Sequence, residues 1–116
     1  KMYYEVKIPI TTIDEIIKER ELDQIDLVKI DVERYEPQVL EGFSMIRKFQ
    51  PAILIEILDD DIGDKVEAIL HKYGCSYLYF DIDENNGFNR VEHIRQSSGF
   101  NYLLCSEEVA RHLQLL

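Results

Sequence analysis

The chain has 116 residues, of which 46% are hydrophobic and 31% are charged, and its net charge at pH 7 is -10. This length and composition exclude a disordered tail and predict a single globular domain over residues 1–116. The acidic balance excludes a nucleic-acid interface and an anionic membrane surface, because both require clusters of lysine and arginine.

The two cysteines, Cys75 and Cys105, lie in apolar, strand-like stretches. This placement is typical of buried free thiols in a reducing compartment. No apolar run is long enough to span a membrane, and no signal peptide opens the sequence. The sequence therefore predicts a cytoplasmic protein that contacts neither membrane nor nucleic acid.

The first elements are a strand and a helix. Residues 3–8 alternate between apolar and polar side chains and stop at Pro9, which predicts a short edge strand. Thr12 followed three residues later by Glu15 is a capping-box pattern. We expect a helix that begins there and ends near Glu21.

Residues 26–32 are short and rich in β-branched side chains, which predicts a central parallel strand covered on both faces. Because side chains alternate along a strand, Lys29, Asp31 and Glu33 should point to the same side. Asp31 and Glu33 lie at the carboxyl end, where open α/β sheets bind ligands. Lys29 is interpreted as an ion-pair partner for Asp31 within the strand.

The next elements alternate between helix and strand. Glu36 and Pro37 begin a helix that contains Gly42 and stops before Pro51, and Glu56 lies near the end of an apolar strand over residues 52–58. The remaining pattern predicts a helix over residues 59–73, a strand over 75–82, a turn over 83–87, a loop over 88–98, a strand over 100–105 and a terminal helix.

Strands separated by helices of about a dozen residues require parallel crossovers. The last strand follows the third across only a loop, so we expect it to be antiparallel to its neighbour. The predicted fold class is α/β, with a mostly parallel sheet, an antiparallel last strand and helices on both faces.

Three separated motifs resemble the FkbM family of S-adenosylmethionine (SAM)-dependent methyltransferases. They are the helix start at residues 11–17, the strand end and helix start at residues 25–42, and the proline-led strand at residues 50–57. The resemblance covers the part of a family domain that follows the cofactor loop. It implies a partial Rossmann-like sheet.

Two features depart from the family pattern. The glycine that usually follows the strand-end glutamate is replaced by Arg34. The five glycines are also too far apart to form the glycine-rich SAM-binding loop, so that loop is absent from these residues.

The resemblance implies SAM-dependent O-methylation of a small hydroxylated acceptor, such as a sugar or a polyketide-type metabolite. Asp31 and Glu33 are the candidate catalytic residues, because a carboxylate can orient an acceptor hydroxyl or accept its proton. Glu36 and Glu56 are candidates for substrate binding. Asp31 and Glu33 could alternatively hold a divalent metal. We expect the fragment to bind SAM poorly and to be inactive alone.

A different class of function is a non-catalytic α/β domain that binds a partner or forms a homo-oligomer. An exposed sheet edge would provide the interface for such an assembly. Several acidic residues could have a structural role instead of a functional one. Glu36 suits a helix N-terminus, and the acidic run at residues 59–61 suits a helix cap rather than a metal site.

Overall fold

The computed structural model describes residues 2–116 as an α/β domain with one five-stranded sheet. Five helices and five strands follow one another along the chain. They are α1 (Ile13–Arg20), β1 (Leu27–Ile30), α2 (Glu36–Glu41), α3 (Ile46–Phe49), β2 (Ala52–Glu56), α4 (Asp60–Lys72), β3 (Leu78–Asp83), β4 (Gly87–Val91), β5 (Asn101–Cys105) and α5 (Glu107–His112).

The sheet has the order β1-β2-β5-β3-β4. Only β1 and β2 pair in parallel, whereas β5 pairs antiparallel with both β2 and β3, and β4 pairs antiparallel with β3. The prediction of a mostly parallel sheet is therefore wrong, although the last strand is antiparallel as expected. The pairings still require β1, β2 and β3 to run in the same direction. Because β5 lies between β2 and β3, these two strands do not pair with each other, and each pairs antiparallel with β5.

Strand β1 lies at the edge of the sheet and not at its centre. Within residues 2–116 it pairs with β2 alone. Its side chains alternate between the core and solvent, so that Ile30 is buried while Leu27 is 57% exposed and Lys29 is also exposed. The prediction of a strand covered on both faces is wrong, because the side chains of Leu27 and Lys29 on one face of β1 are exposed.

The two faces of the sheet carry cores of different size. The larger core joins the strands to α1, α2, α3 and α4, with Ile53, Leu70 and Tyr102 among its buried residues. The smaller core lies on the opposite face and packs Phe80, Leu103 and Cys105 against Ala110 of α5. Helices therefore cover both faces, as predicted. Within residues 2–116, no helix is long and apolar enough to cross a membrane.

Local capping chemistry explains where three helices begin. The side chains of Thr12, Asp59 and Ser106 accept hydrogen bonds from backbone N–H groups in the first turns of α1, α4 and α5. Each cap satisfies a backbone donor that the helix itself leaves free. These boundaries are set by nearby residues, which is why the sequence predicts the start of α1 correctly.

Three other predictions fail. Residues 3–8 form neither a helix nor a strand, and their apolar side chains are exposed. The helix expected up to Pro51 is split, because α2 ends at Glu41, with Gly42 as its C-cap, and α3 begins at Ile46. The predicted loop over residues 88–98 includes β4, which forms a hairpin with β3 across the turn that ends at Gly87.

Candidate functional site

Three acidic side chains meet where β1 and β2 end. Asp31, Glu33 and Glu56 each place one carboxylate oxygen within 4.8 Å of the others, and we call them the carboxylate cluster. Asp31 immediately follows β1, and Glu56 is the last residue of the parallel strand β2. Because Ile30 pairs with Ile55, the next residues on the two strands are neighbours. Asp31 and Glu33 are exposed and Glu56 is half-buried.

A tight turn brings Glu33 back toward Asp31. Glu33 and Arg34 both have left-handed backbone, with φ of 48° and 78°, and the N–H of Tyr35 donates to the carbonyl of Val32. Arg34 thus occupies a backbone conformation that favours glycine. Its guanidinium donates to Asp59, the residue that caps α4. The turn is therefore tied to the next helix.

Glu36 supports the same turn from inside the protein. It is 0% exposed, and its Oε2 accepts a hydrogen bond of 3.0 Å from the N–H of Val32. Its Oε1 is buried and has no hydrogen-bond partner among the described residues. The Oε1 of Glu56 is buried and unpartnered in the same way. Two buried carboxylate oxygens therefore lack the donor that such atoms usually have.

The pKa of Glu56 is raised above its ordinary value of 4.5. Burial is the largest cause, followed by the negative charges of Asp31, Glu33 and Glu36, and then by a hydrogen bond to Asp31. Burial and like charges both disfavour the ionised form of a carboxyl group. Glu56 therefore takes up a proton more readily than an ordinary glutamate.

This shift predicts how stability depends on pH. Because the folded protein holds the Glu56 proton more tightly than the unfolded chain, stability should fall as the pH rises from about 4.5 through the raised pKa. We expect Glu56→Gln to remove this loss and to raise the melting temperature at neutral pH. Thermal melts between pH 4 and pH 8 in the presence of EDTA measure both effects.

Glu84→Gln is the matched control for this prediction, because Glu84 is an exposed residue of the turn between β3 and β4. We expect its melting curve to follow that of the wild type at every pH. If the melting temperatures of Glu56→Gln and the wild type show the same pH dependence, burial and neighbouring charges at Glu56 do not cause the loss of stability.

A cavity of about 290 Å³ lies near the carboxylate cluster, although none of the three acidic residues lines it. Leu54 and Ile82 form part of its apolar lining, and Lys29 and Asn101 contribute polar groups. Asn101 pairs with Glu56 across the sheet, which makes the cavity and the cluster neighbours. The interpretation of Lys29 as an ion-pair partner of Asp31 is wrong, because Lys29 forms no salt bridge within residues 2–116.

The structure brings together Asp31, Glu33 and Glu56, three of the four residues selected from the sequence. The fourth, Glu36, is buried beneath the turn. Sequence reasoning missed Asn101 and the cavity beside it, because the pairing of β5 with β2 joins residues far apart in the chain. The prediction that strand alternation places Glu33 beside Asp31 is wrong. Glu33 lies in a turn after β1, and this turn brings its carboxylate close to Asp31.

Comparison with protein families identifies residues 3–77 as a methyltransferase FkbM domain. The chain belongs to the FkbM methyltransferase family. The matched region includes the carboxylate cluster but ends before β3, so most of the neighbouring cavity lies beyond it. No curated protein and no solved structure gives a significant match.

The glycines of this FkbM chain do not fit a cofactor-binding loop. Gly42 and Gly63 pack closely against Thr12 and Ile94, and Gly99 lies against the carbonyl of Ile82. Gly74 and Gly87 have left-handed backbone after α4 and at the β3–β4 turn. Within residues 2–116, the glycines lie at close packing contacts and in turns.

Proposed function

We propose that this chain provides the acceptor side of a SAM-dependent O-methyltransferase. The acceptor is a small hydroxylated molecule such as a sugar or a polyketide-type metabolite. The observation that carries this proposal is the carboxylate cluster at the carboxyl ends of two parallel strands, inside the region that matches the FkbM domain. Open α/β sheets bind their ligands at this end.

Asp31 and Glu33 are proposed as the catalytic residues. Bound SAM supplies an activated methyl group, so the protein must orient the acceptor hydroxyl and take up its proton. Both carboxylates are exposed at the end of the sheet and accessible to an acceptor. The adjoining cavity offers apolar contacts from Leu54 and Ile82 and a cation from Lys29.

Glu56 and Glu36 are proposed to bind the acceptor around these catalytic residues. Glu56 is half-buried between Asp31 and Asn101, where it can accept a hydrogen bond from a second hydroxyl. Glu36 lies beneath the turn and accepts a hydrogen bond from the N–H of Val32. It therefore stabilises the turn that positions the neighbouring Glu33. Direct contact of Glu36 with an acceptor stays a prediction that requires this carboxylate to become accessible.

We expect the 116-residue chain alone to bind SAM poorly. No glycine-rich loop is present in its sequence to hold the cofactor. Isothermal titration calorimetry of the chain with SAM should show no saturable heat at micromolar concentrations. Micromolar affinity would contradict this expectation and would show that other residues form the cofactor site.

Methyl transfer itself should be measured with the natural polypeptide that carries these residues. Radiolabelled SAM is incubated with a panel of sugars and hydroxylated polyketides, and the position of the new methyl group is determined by NMR. We expect an O-methylated product from at least one acceptor class. Transfer only to nitrogen, carbon or sulfur would refute the O-methylation proposal.

A second candidate function is a non-catalytic domain that assembles through the open edge of β1. This candidate is favoured by Leu27, which is exposed on an edge strand that pairs with β2 alone within residues 2–116. Light scattering over a range of protein concentrations should then detect a dimer that Leu27→Lys converts to a monomer, because charged side chains protect sheet edges. A wild-type monomer at every concentration would argue against this function.

A further inference from the structure

The segment over residues 2–10 exposes a row of apolar side chains that have no partner in the single chain. Its backbone forms no hydrogen bond with the rest of residues 2–116, and each of its residues is exposed. Tyr4, Val6 and Ile8 alternate along it and are 82%, 77% and 73% exposed. Apolar side chains at a spacing of two residues are typical of a strand that adds to the edge of a sheet. We call residues 3–8 the arm.

The open edge of β1 is the surface that such a strand fits. An edge strand presents N–H and C=O groups that remain free to pair with another strand. Within residues 2–116, β1 pairs with β2 alone. Val28 and Ile30 pack in the larger core, whereas Leu27 and Lys29 are exposed on the other face. The edge of β1 therefore has one apolar face, as the arm does.

The charges of the arm match those of β1 in one alignment. With the arm parallel to β1 and Glu5 beside Lys29, Lys7 lies beside Asp31. Neighbouring strands are about 5 Å apart, so aligned side chains of opposite charge can pair. Among the parallel and antiparallel alignments that keep the apolar side chains on the core face, only this one gives both Glu5 and Lys7 an oppositely charged neighbour. Lys29 has no salt bridge of its own within residues 2–116.

The apolar side chains match in the same alignment. It places three apolar residues of the arm on the core face of the sheet, in the pairs Tyr4 with Val28, Val6 with Ile30 and Ile8 with Val32. Removal of these side chains from water would favour the pairing. Pro9 follows the paired residues, so its missing N–H interrupts no hydrogen bond between the strands.

A second copy of the chain is a better source for this strand than the same copy. In the single chain the arm is exposed and unpaired, while α1 directly after it is held by hydrogen bonds from the N–H groups of Ser44 and Met45 to Asp14. The radius of gyration of 15.4 Å exceeds the value of about 13 Å expected for a compact domain of about 100 residues. The arm thus extends away from its own domain. Exchange of identical segments is a low-cost route to dimers.

We propose that the chain forms a symmetric dimer in which the arm of each copy pairs in parallel with β1 of the other. This inference rests on the second candidate function, which leaves open what covers the edge of β1, and it names the occupant. The pairing also brings Lys7 of the second copy to Asp31, so that each copy contributes a cation to the carboxylate cluster of the other. It does not depend on methyl transfer.

Sedimentation equilibrium of the 116-residue chain, without SAM or an acceptor, measures the dissociation constant of the dimer. Glu5→Lys and Lys29→Glu should each weaken the dimer about ten-fold, because each replaces an attraction by a repulsion at both symmetric contacts. The double variant Glu5→Lys/Lys29→Glu restores opposite charges and should recover the wild-type constant. Glu19→Lys is the matched control, because it makes the same change of charge at an exposed residue of α1 and should dimerise as the wild type does.

Disulfide trapping distinguishes exchange between copies from pairing within one copy. Tyr3 lies beside Leu27 in the proposed alignment, at a strand spacing that a disulfide can bridge. Tyr3→Cys and Leu27→Cys are made in separate chains, one of which carries a tag, and the chains are mixed and oxidised. We expect a covalent dimer that contains one chain of each kind. The wild type is the control, because its two cysteines are buried.

Three outcomes would overturn the proposal. A wild-type chain that is monomeric at every concentration would refute the exchange together with the second candidate function. A dimer that Leu27→Lys disrupts but that neither charge reversal weakens would refute the pairing of the arm alone. A disulfide within one chain that carries both Tyr3→Cys and Leu27→Cys, with none between the mixed chains, would show that the arm pairs with its own β1. Circular dichroism establishes that each variant is folded.

Discussion

Gly63→Ala should destabilise the protein by roughly 3 kcal/mol, which is near the upper end of the usual cost of overpacking a core. A Cβ at this position in α4 would lie 2.1 Å from the carbonyl oxygen of Ile94 and 2.9 Å from its carbonyl carbon. Neither atom belongs to a flexible side chain that could turn away. The helix and the segment around Ile94 would have to separate.

That segment cannot move freely, because it is fastened to α4 on both sides of the contact. The N–H of Ile94 donates to Glu67, and the N–H of Gln96 donates to Asp60 at 2.8 Å. Relief of the clash therefore costs hydrogen bonds as well as packing, since Ile94 is fully buried. Chemical denaturation, compared between wild type and variant at the same pH, measures the loss of unfolding free energy.

Helix propensity alone would predict that Gly63→Ala stabilises the protein, because alanine is about 1 kcal/mol more favourable than glycine in a helix. We expect the opposite change in unfolding free energy. Ala68→Gly, at an exposed position of the same helix, measures the propensity difference without a clash. We expect this control to lose about 1 kcal/mol. If Gly63→Ala is as stable as the wild type, the backbone at Ile94 can move away from α4 at no measurable cost.

Asp31→Asn should lower kcat for methyl transfer by about 100-fold or more in the natural polypeptide that carries these residues, because general-base groups contribute at least this much. The asparagine has nearly the same shape, but it can neither accept the acceptor proton nor provide a full negative charge. Asp31 is exposed beyond the end of β1, so the substitution should leave folding intact. The KM for SAM should change little, because Asp31 is proposed to contact the acceptor and not the cofactor.

Asp61→Asn is the control for this experiment, since Asp61 is an exposed residue on α4 that pairs with Lys65. Its kcat should equal that of the wild type. A fall in kcat with an unchanged KM for the acceptor distinguishes a role in the chemical step from a role in acceptor binding. Full activity in Asp31→Asn would exclude Asp31 as the proton acceptor and would shift attention to Glu33.

Features that depend on a few neighbouring residues were predicted well from the sequence. Thr12 begins α1, and the turn before Gly87 joins β3 to β4. The three motifs at residues 11–17, 25–42 and 50–57 also predicted the family, and the FkbM match over residues 3–77 confirms it. The helix start and the turn are local relations, and their physical causes are capping and turn preference.

Features that depend on strand neighbours were predicted poorly. An apolar run indicates a buried strand but not which strands lie beside it, so β1 was placed in the centre of a parallel sheet and lies at an edge. The helix pattern also missed the break at Gly42, where the position of a Cβ would be 3.0 Å from the side chain of Thr12. Both outcomes are set by packing between distant parts of the chain.

By itself, the sequence determined the family, the starts of several helices and the choice of Asp31, Glu33 and Glu56 as candidates. Only the tertiary structure decided that their oxygens meet and that Glu36 is buried behind them. The meeting requires the register of β1 on β2 together with left-handed backbone at Glu33 and Arg34. Neither condition follows from local propensity, because pairing joins residues far apart in the chain and a left-handed arginine persists only where the surrounding fold holds it.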